Sequence, residues 1–190
     1  MIFAEHVKNS LLSLIQEMAS LPWLFAKNPA ADFSRNRKLD FASTIQCILS
    51  MENGGLKNEL LDFFRFSVDT PSASAFHQQR SKLLPETFPF LFHEFNSLFP
   101  LQKNYNGYRL LACDGSDLNI PRNPKDTDTY FQSLSTDRGF NQIHLNALYD
   151  LCEKRYTDVV IQPARKENES LAMTQMIDRY RGQKENYFYR

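Results

Sequence analysis

The spacing of hydrophobic residues along the chain changes character near its middle. Up to about Phe99 hydrophobic residues recur every three or four positions, as on one face of a helix, and after about Tyr105 the pattern is typical of strands. The first half contains five such helical segments, at 3–18, 41–49, 56–64, 72–84 and 85–99. A polar segment at 29–38 separates the first two helices and predicts a loop.

Serine and proline residues refine the prediction for the last two helices. Ser72 or Ser74 is expected to cap the fourth helix, because a serine hydroxyl accepts a hydrogen bond from the free N–H groups of a first turn. Pro85 suits the first turn of the fifth helix, whereas Pro89 lies later than a regular helix prefers and is expected to kink it. The fourth helix and the residues after it are expected to expose five polar side chains, His77, Gln78, Gln79, Arg80 and Lys82.

The second half predicts three strands followed by a helix. The strands are expected at 108–114, 143–150 and 156–162. The first is a continuous apolar run, typical of a central strand buried on both faces, and we expect it to end where Asp114 begins the sequence Asp-Gly-Ser. Asn168 or Ser170 is expected to cap the helix, and 185–190 predicts the start of a fourth strand, so we expect the sheet to be incomplete.

Composition excludes several classes of protein. Hydrophobic residues make up 42% of the 190 residues and include 16 Phe, which is enough for a core and excludes bulk disorder. Neither a membrane span nor a secretory signal is predicted, so we expect a cytoplasmic protein. The three cysteines, Cys47, Cys113 and Cys152, are far apart, which argues against a disulfide framework or a cysteine-rich zinc site.

The charge balance restricts how the chain would bind DNA. Twenty-two basic and 22 acidic side chains give a formal net charge of zero, and residues 1–100 hold 9 basic and 10 acidic side chains. Nucleic-acid binders that act through bulk charge are usually basic. Any DNA contact must therefore come from a shaped face of the protein.

One segment, CDGSDLNIPRNP at 113–124, carries a candidate catalytic residue. An ionised Asp114 at the end of an apolar strand is costly unless it is paired, hydrogen-bonded or bound to a cation. Carboxylates of this kind hold two Mg²⁺ ions in phosphoryl-transfer sites. The alternative is that Asp114 only begins a turn. Asp117 carries the same two alternatives, a metal ligand or a structural turn carboxylate, and the four histidines are too scattered to predict a zinc site.

Several segments, taken in order and with their spacing, resemble DDE transposases of the insertion-sequence-4 family. They are CDGSDLNIP, TDTYFQ, GFNQIHLNALYDL and DVVIQPARKENE, preceded by the helical ASAFHQQRSKLLPETFPFLFHEFN. The likeness covers roughly residues 40–180. It implies an α+β chain with a helical, DNA-binding region at 1–103 and, at 104–190, the truncated start of a ribonuclease-H-like α/β domain.

The resemblance also assigns a catalytic role to Asp114. In the family, the first catalytic Asp lies on the first strand and matches Asp114, which would ligate Mg²⁺ in the intact enzyme. The second catalytic Asp lies on the strand after the first helix, a Glu follows much later, and neither is matched here; the family's late Tyr-Arg-Glu-Lys motif is absent as well. One carboxylate cannot hold two metal ions, so this chain is expected to be inactive by itself.

The fourth helix is the best candidate for contact with DNA. Gln78 and Gln79 are of a type that pairs with adenine, Arg80 with guanine and Lys82 with phosphate, although an ordinary polar surface has the same composition. Weaker candidates for phosphate contact are Arg35, Arg37 and Lys38, and Arg165 and Lys166.

These observations favour DNA transposition as the function. The expected partners are the double-stranded DNA of transposon ends, and a second copy of the chain or a full-length transposase. The alternatives are a DNA-binding module that inhibits a full-length transposase, and a decayed remnant without function.

Overall fold

The computed structural model describes residues 3–35, 37–132 and 138–180 and the backbone of 186–189. Its contacts divide the chain into two compact units, Met1–Phe99 and Pro100–Arg190. Helices dominate the first unit, and a largely antiparallel sheet with one α-helix forms the second. The chain is therefore an α+β protein. Within the described residues, no helix combines the length and the apolar character that crossing a bilayer requires.

The first unit contains the five predicted helices. They are α1 (Phe3–Ser20), α2 (Phe41–Ser50), α3 (Leu56–Phe63), α4 (Ala73–Arg80) and α5 (Thr87–Ser97). Ser72 caps α4, as one of the two predicted alternatives had it, and its Oγ accepts from the N–H of Ala75 at 3.2 Å. Asp40 caps α2 in the same way through the N–H of Ser43 at 2.7 Å.

The two prolines near α5 take different positions from those predicted. Pro85 lies before the helix, which begins at Thr87, and Pro89 is the third residue of its first turn. Backbone N–H groups in a first turn have no partner within the helix. The ring of Pro89 therefore removes no hydrogen bond, and the helix continues through it to Ser97.

Two hydrophobic clusters hold the first unit together. Ile15 of α1 and Ile45 of α2 are fully buried in the larger cluster, and Leu60 and Phe76 are buried in the smaller one with Cys47. Burial, with a further contribution from the charge of Glu59, raises the pKa of the Cys47 thiol to about 11. This cysteine is therefore a neutral packing residue, not a nucleophile.

The second unit is built around one long central strand. Its elements are β1 (Arg109–Ile120), β2 (Tyr130–Phe131), β3 (Phe140–Asp150), β4 (Arg155–Pro163), α6 (Glu169–Arg179) and β5 (Asn186–Tyr189). Strand β1 pairs antiparallel with β3 along one edge and parallel with β5 along the other. Strands β2 and β4 both pair antiparallel with β3. The predicted end of the first strand at Asp114 is wrong, because β1 continues for six more residues to Ile120.

Helix α6 covers one face of this sheet. Met176 of α6 packs on Leu111 of β1 and Leu148 of β3, and all three are fully buried. Asn168 caps the helix, accepting from the N–H of Leu171 at 2.9 Å. Successive residues of a strand face opposite sides of the sheet. The face of β1 that α6 covers therefore also carries Cys113, Gly115 and Asp117. Asp114 lies on the opposite face.

Two buried carboxylates strengthen the second unit. Asp158 of β4 accepts two hydrogen bonds from Arg179 at the end of α6, at 2.9 and 3.0 Å. Asp150 of β3 accepts from Arg109 of β1 at 3.2 Å and from two backbone N–H groups of the turn that follows β3. Both carboxylates thus have partners that offset the cost of their burial.

Candidate functional site

Asp114 is exposed on the face of the central strand opposite α6. In the β1–β3 ladder it stands opposite Ala147, and its Oδ1 accepts from the N–H of Gly115 at 3.0 Å. No turn begins here, because the ladder continues without interruption to Ile120. The interpretation of Asp114 as a turn residue is therefore wrong, and its side chain is open to solvent and ligands.

The described residues do not complete a two-metal site around Asp114. Such a site needs several carboxylates that share two ions. In the described part of the chain, only Asp117, His144 and Glu167 bring three or more metal-ligating side chains within 4.8 Å of one another. Asp114 is not among them and lies on the other face of the sheet, so the residues that the structure describes do not fit a two-metal Mg²⁺ centre.

The group that does converge lies on the α6 face, and we call it the His144 cluster: Asp117, His144, Glu167 and Glu169. Asp117 and His144 are opposite each other in the β1–β3 ladder, and Nδ1 of His144 lies 2.8 Å from Oδ1 of Asp117. The same nitrogen lies 3.2 Å from Oε2 of Glu167, and Nε2 lies 3.4 Å from Oε1 of Glu169. Three segments of the chain therefore meet at one imidazole.

The imidazole of His144 is buried, whereas its carboxylate neighbours are half exposed. The His144 side chain is 8% exposed, against 49% for Asp117 and 50% for Glu167. The hydrogen bond to Asp117 raises the pKa of His144; burial lowers it, and the charges of Glu167, Asp117 and Glu169 raise it further, with a net increase. Among the described residues, Nε2 finds no hydrogen-bond partner.

Gly115 makes the room that this imidazole occupies. A Cβ atom on Gly115 would lie 2.3 Å from Nε2 of His144 and 3.0 Å from Oε1 of Glu169. Real Cβ atoms essentially never show a contact of 2.3 Å, so a side chain at position 115 would displace the imidazole. Glycine in the interior of a strand is otherwise unfavourable and often marks a close approach of this kind.

The His144 cluster could not be predicted from the sequence because its members are far apart along the chain. Asp117 and His144 are 27 residues apart, and Glu167 follows His144 after another 23. Of the two alternatives for Asp117, a metal ligand or a structural turn carboxylate, the turn is wrong, because the structure places this residue in mid-strand beside His144. The scatter of the histidines concealed the site, since one histidine with carboxylates from other segments leaves no motif.

The predicted DNA-binding residues of α4 separate into exposed and buried side chains. Gln78 and Arg80 are exposed, and the guanidinium of Arg80 lies 5.9 Å from the ring centre of Phe76. Gln79 is only 4% exposed, so the predicted exposure of this residue is wrong. Its position places it on the same face of α4 as Phe76, three residues away, and this face packs into the unit.

A cleft in the first unit brings together two groups of residues that were predicted separately. Arg35 and Arg37 of the polar loop line it with Lys82 and Gln79, and its volume is about 280 Å³. Oε1 of Gln79 is buried without a hydrogen-bond partner among the described residues. Lys82 lies 3.9 Å from Asp32, which offsets part of its charge. We call this feature the basic cleft.

The remaining basic candidates make contacts within their own units. Lys38 is paired with Asp69 at 2.5 Å and is not part of the cleft lining. Lys166 is paired with Asp128 at 2.6 Å, and the guanidinium of Arg165 lies 5.5 Å from the ring centre of Phe131. These contacts reduce their availability for DNA phosphates.

Comparison of the chain with models of protein families, with curated proteins and with solved structures gives no match.

Proposed function

We propose that the chain takes part in DNA transposition as a component of a DDE transposase. In this proposal the first unit binds the duplex DNA of transposon ends, and the second belongs to a ribonuclease-H-like catalytic domain in which Asp114 is the first metal-binding carboxylate. The observation that carries the proposal is the position of Asp114, exposed on the central strand of the sheet.

The strands around Asp114 support this assignment. The resemblance implies three strands, a helix and then a strand with the second catalytic Asp. Strand β5 follows α6 and lies parallel beside β1, with Tyr189 opposite Ala112. Of the catalytic carboxylates that the resemblance implies, Asp114 is the one that the described residues match.

The basic cleft supports the DNA-binding part of the proposal. Guanidinium groups such as those of Arg35 and Arg37 bind phosphate through paired N–H donors, and Lys82 adds a point charge. Exposed Gln78 and Arg80 lie on α4, which ends two residues before Lys82. Because residues 1–100 have almost balanced charge, the local arrangement of these cations must supply the attraction for DNA.

DNA binding is tested by gel shift with a pool of random-sequence duplexes at several salt concentrations. We expect binding that weakens as salt rises. For the Arg35→Ala/Arg37→Ala double variant, the slope of log affinity against log salt should fall by about 1 for each phosphate that the substitutions leave without its cation. Lys57→Ala, on α3 and outside the cleft lining, is the matched control and is expected to bind like the parent chain. No shift at low salt, or equal weakening in all variants, would reject the cleft as the DNA site.

The catalytic part is tested by incubating the chain with duplex DNA and Mg²⁺. We expect no cleavage, because Asp114 by itself does not complete a two-metal site. Absence of cleavage would also favour a second candidate function for this chain, that of a module which occupies DNA ends without cutting them. Cleavage that disappears in Asp114→Asn would contradict the expected inactivity and make the chain an active nuclease.

A further inference from the structure

We propose that Asp117, His144 and Glu167 form a binding site for one divalent transition-metal ion, best suited to Zn²⁺, on the α6 face of the sheet. This site is separate from any metal bound by Asp114 and does not depend on the function proposed above. Its expected role is to fasten the beginning of α6 to strands β1 and β3.

The distances between the ligand atoms suit such an ion. Around a tetrahedral Zn²⁺ with bonds of about 2.0–2.1 Å, neighbouring ligand atoms lie roughly 3.3 Å apart. Nδ1 of His144 lies 2.8 Å from the oxygen of Asp117 and 3.2 Å from that of Glu167. Shifts of a few tenths of an ångström would accommodate the ion, and two of the three ligands are half-exposed carboxylates that are free to make them.

The type of ligand distinguishes between metals. One imidazole nitrogen with carboxylate oxygens suits Zn²⁺ and related transition metals, whereas Mg²⁺ and Ca²⁺ favour sites made of oxygen atoms. The half-exposed sides of Asp117 and Glu167 leave access for the ion and for water ligands. We therefore expect Zn²⁺ to bind in preference to Mg²⁺.

A second observation is the contact made by the other ring nitrogen of the buried His144. The side chain is only 8% exposed, and Nε2 makes no hydrogen bond among the described residues but lies within ion-pair distance of Glu169. A metal on Nδ1 leaves the proton on Nε2, and this N–H lies 3.4 Å from Oε1 of Glu169. A carboxylate on the second nitrogen commonly orients a metal-binding histidine. Glu169 would orient the imidazole of His144 in this way through Nε2 once an ion is bound.

The negative charges around His144 also favour a bound cation. Asp117, Glu167 and Glu169 place three carboxylates around one imidazole, and like charges this close repel each other. A divalent ion on the Nδ1 side offsets two of them. The competing arrangement is an imidazolium that donates from Nδ1 to Asp117 without any metal, and the experiment distinguishes the two.

The location of the ligands defines the structural effect. Asp117 lies on β1, His144 on β3, and Glu167 immediately before Asn168, the N-cap of α6. An ion shared by the three would join two strands to the start of the helix. Because an ion that binds the folded chain stabilises it, the temperature of unfolding must rise with Zn²⁺ concentration.

The test is calorimetric titration of the chain with ZnCl₂ after removal of metals with EDTA. We expect one Zn²⁺ per chain, a rise of several degrees in the unfolding temperature, and no competition from Mg²⁺ at equal concentration. Asp117→Asn and Glu167→Gln are expected to weaken binding by at least about tenfold. Asp178→Asn is the matched control, since it removes an exposed carboxylate at the other end of α6 from Glu167, and it should keep the parent affinity.

The histidine ligand is tested separately by ¹⁵N NMR of the imidazole nitrogens. We expect Zn²⁺ to shift Nδ1 of His144 while Nε2 stays protonated. Circular dichroism of each metal-free variant checks that its fold is kept, which is expected because both substituted carboxylates are half exposed. Absence of binding, unchanged affinity in Asp117→Asn and Glu167→Gln, or failure of Asp178→Asn to bind would each overturn the proposal, and none of these results bears on DNA binding by the basic cleft.

Discussion

Gly115→Ala gives the most direct test of the geometry around His144. The new methyl group would lie 2.3 Å from Nε2 and 2.9 Å from Cε1 of the imidazole. The strand backbone at Gly115 is held by the β1–β3 ladder, so the imidazole must move. Moving it breaks the 2.8 Å hydrogen bond to Asp117 and disturbs the ligand set proposed for Zn²⁺.

The expected cost is about 2 kcal/mol of unfolding free energy. Forcing an extra methyl group into a packed site costs about 1–3 kcal/mol, and a hydrogen bond to a half-exposed carboxylate adds about 1 kcal/mol. Replacing a glycine in a strand by alanine raises the free energy of unfolding by about 0.5–1 kcal/mol, because the unfolded chain has less entropy. For a unit of roughly 90 residues, this net decrease lowers the melting temperature by about 10 °C.

The cost of Gly115→Ala should also depend on pH in the metal-free protein. The folded pKa of His144 is raised, first by the hydrogen bond to Asp117, so its contribution to stability is fully present below the unfolded value near 6.5. That contribution disappears as the pH rises through the folded pKa. Gly115→Ala should therefore cost more at pH 6 than at pH 9.

The assay is urea denaturation followed by circular dichroism in EDTA, with a double-mutant cycle as the control. In the His144→Ala background the imidazole is absent, so Gly115→Ala should be neutral or slightly stabilising, with a coupling energy of about 2 kcal/mol. An unchanged midpoint in Gly115→Ala, or an equal cost with and without the imidazole, would contradict the expected displacement of His144.

Three further predictions concern the packing and ion pairs of the two units. Phe76→Ala should destabilise the helical unit by about 3–5 kcal/mol in urea denaturation, because the fully buried ring leaves a cavity. Asp158→Asn should cost about 1–2 kcal/mol by the same measurement, because it removes the charged acceptor of two hydrogen bonds from Arg179. Burial raises the pKa of Glu153, but two backbone N–H donors and Arg109 lower it more. Glu153→Gln should therefore destabilise the chain at pH 7, and the difference should disappear as the pH falls from the unfolded value of 4.5 through the lowered folded pKa.

The helices were predictable because their signals are local. Apolar residues three and four positions apart, and cap residues such as Ser72 and Asn168, act over a single turn. All five helices of the first unit and α6 therefore agree with the sequence pattern. The kink predicted at Pro89 is not required, because α5 begins at Thr87 and places this proline in its first turn, where an N–H would have no partner within the helix.

The sequence could not decide which face of β3 is buried. Alternation along the strand favours burial of the apolar set that includes Leu145 and Ala147. The structure instead buries the set with His144, Asn146 and Asp150, since α6 packs on that side. The connection from β4 to α6 determines which face of the sheet α6 covers. The alternation of residues along β3 does not specify that connection.

Local sequence was enough to predict the six α-helices and the order of β1, β3, β4 and β5, but not the short β2, and it narrowed the caps of α4 and α6 to two residues each. It also identified Asp114 as a residue that needs an explanation. Each of these depends on neighbours within a few positions along the chain. The three-dimensional arrangement was needed to show that Gln79 is buried, that Asp114 and Asp117 lie on opposite faces, and that Asp117 meets His144 and Glu167. The meeting at His144 follows from strand register and from the packing of α6, which bring together residues that are more than 20 positions apart in sequence.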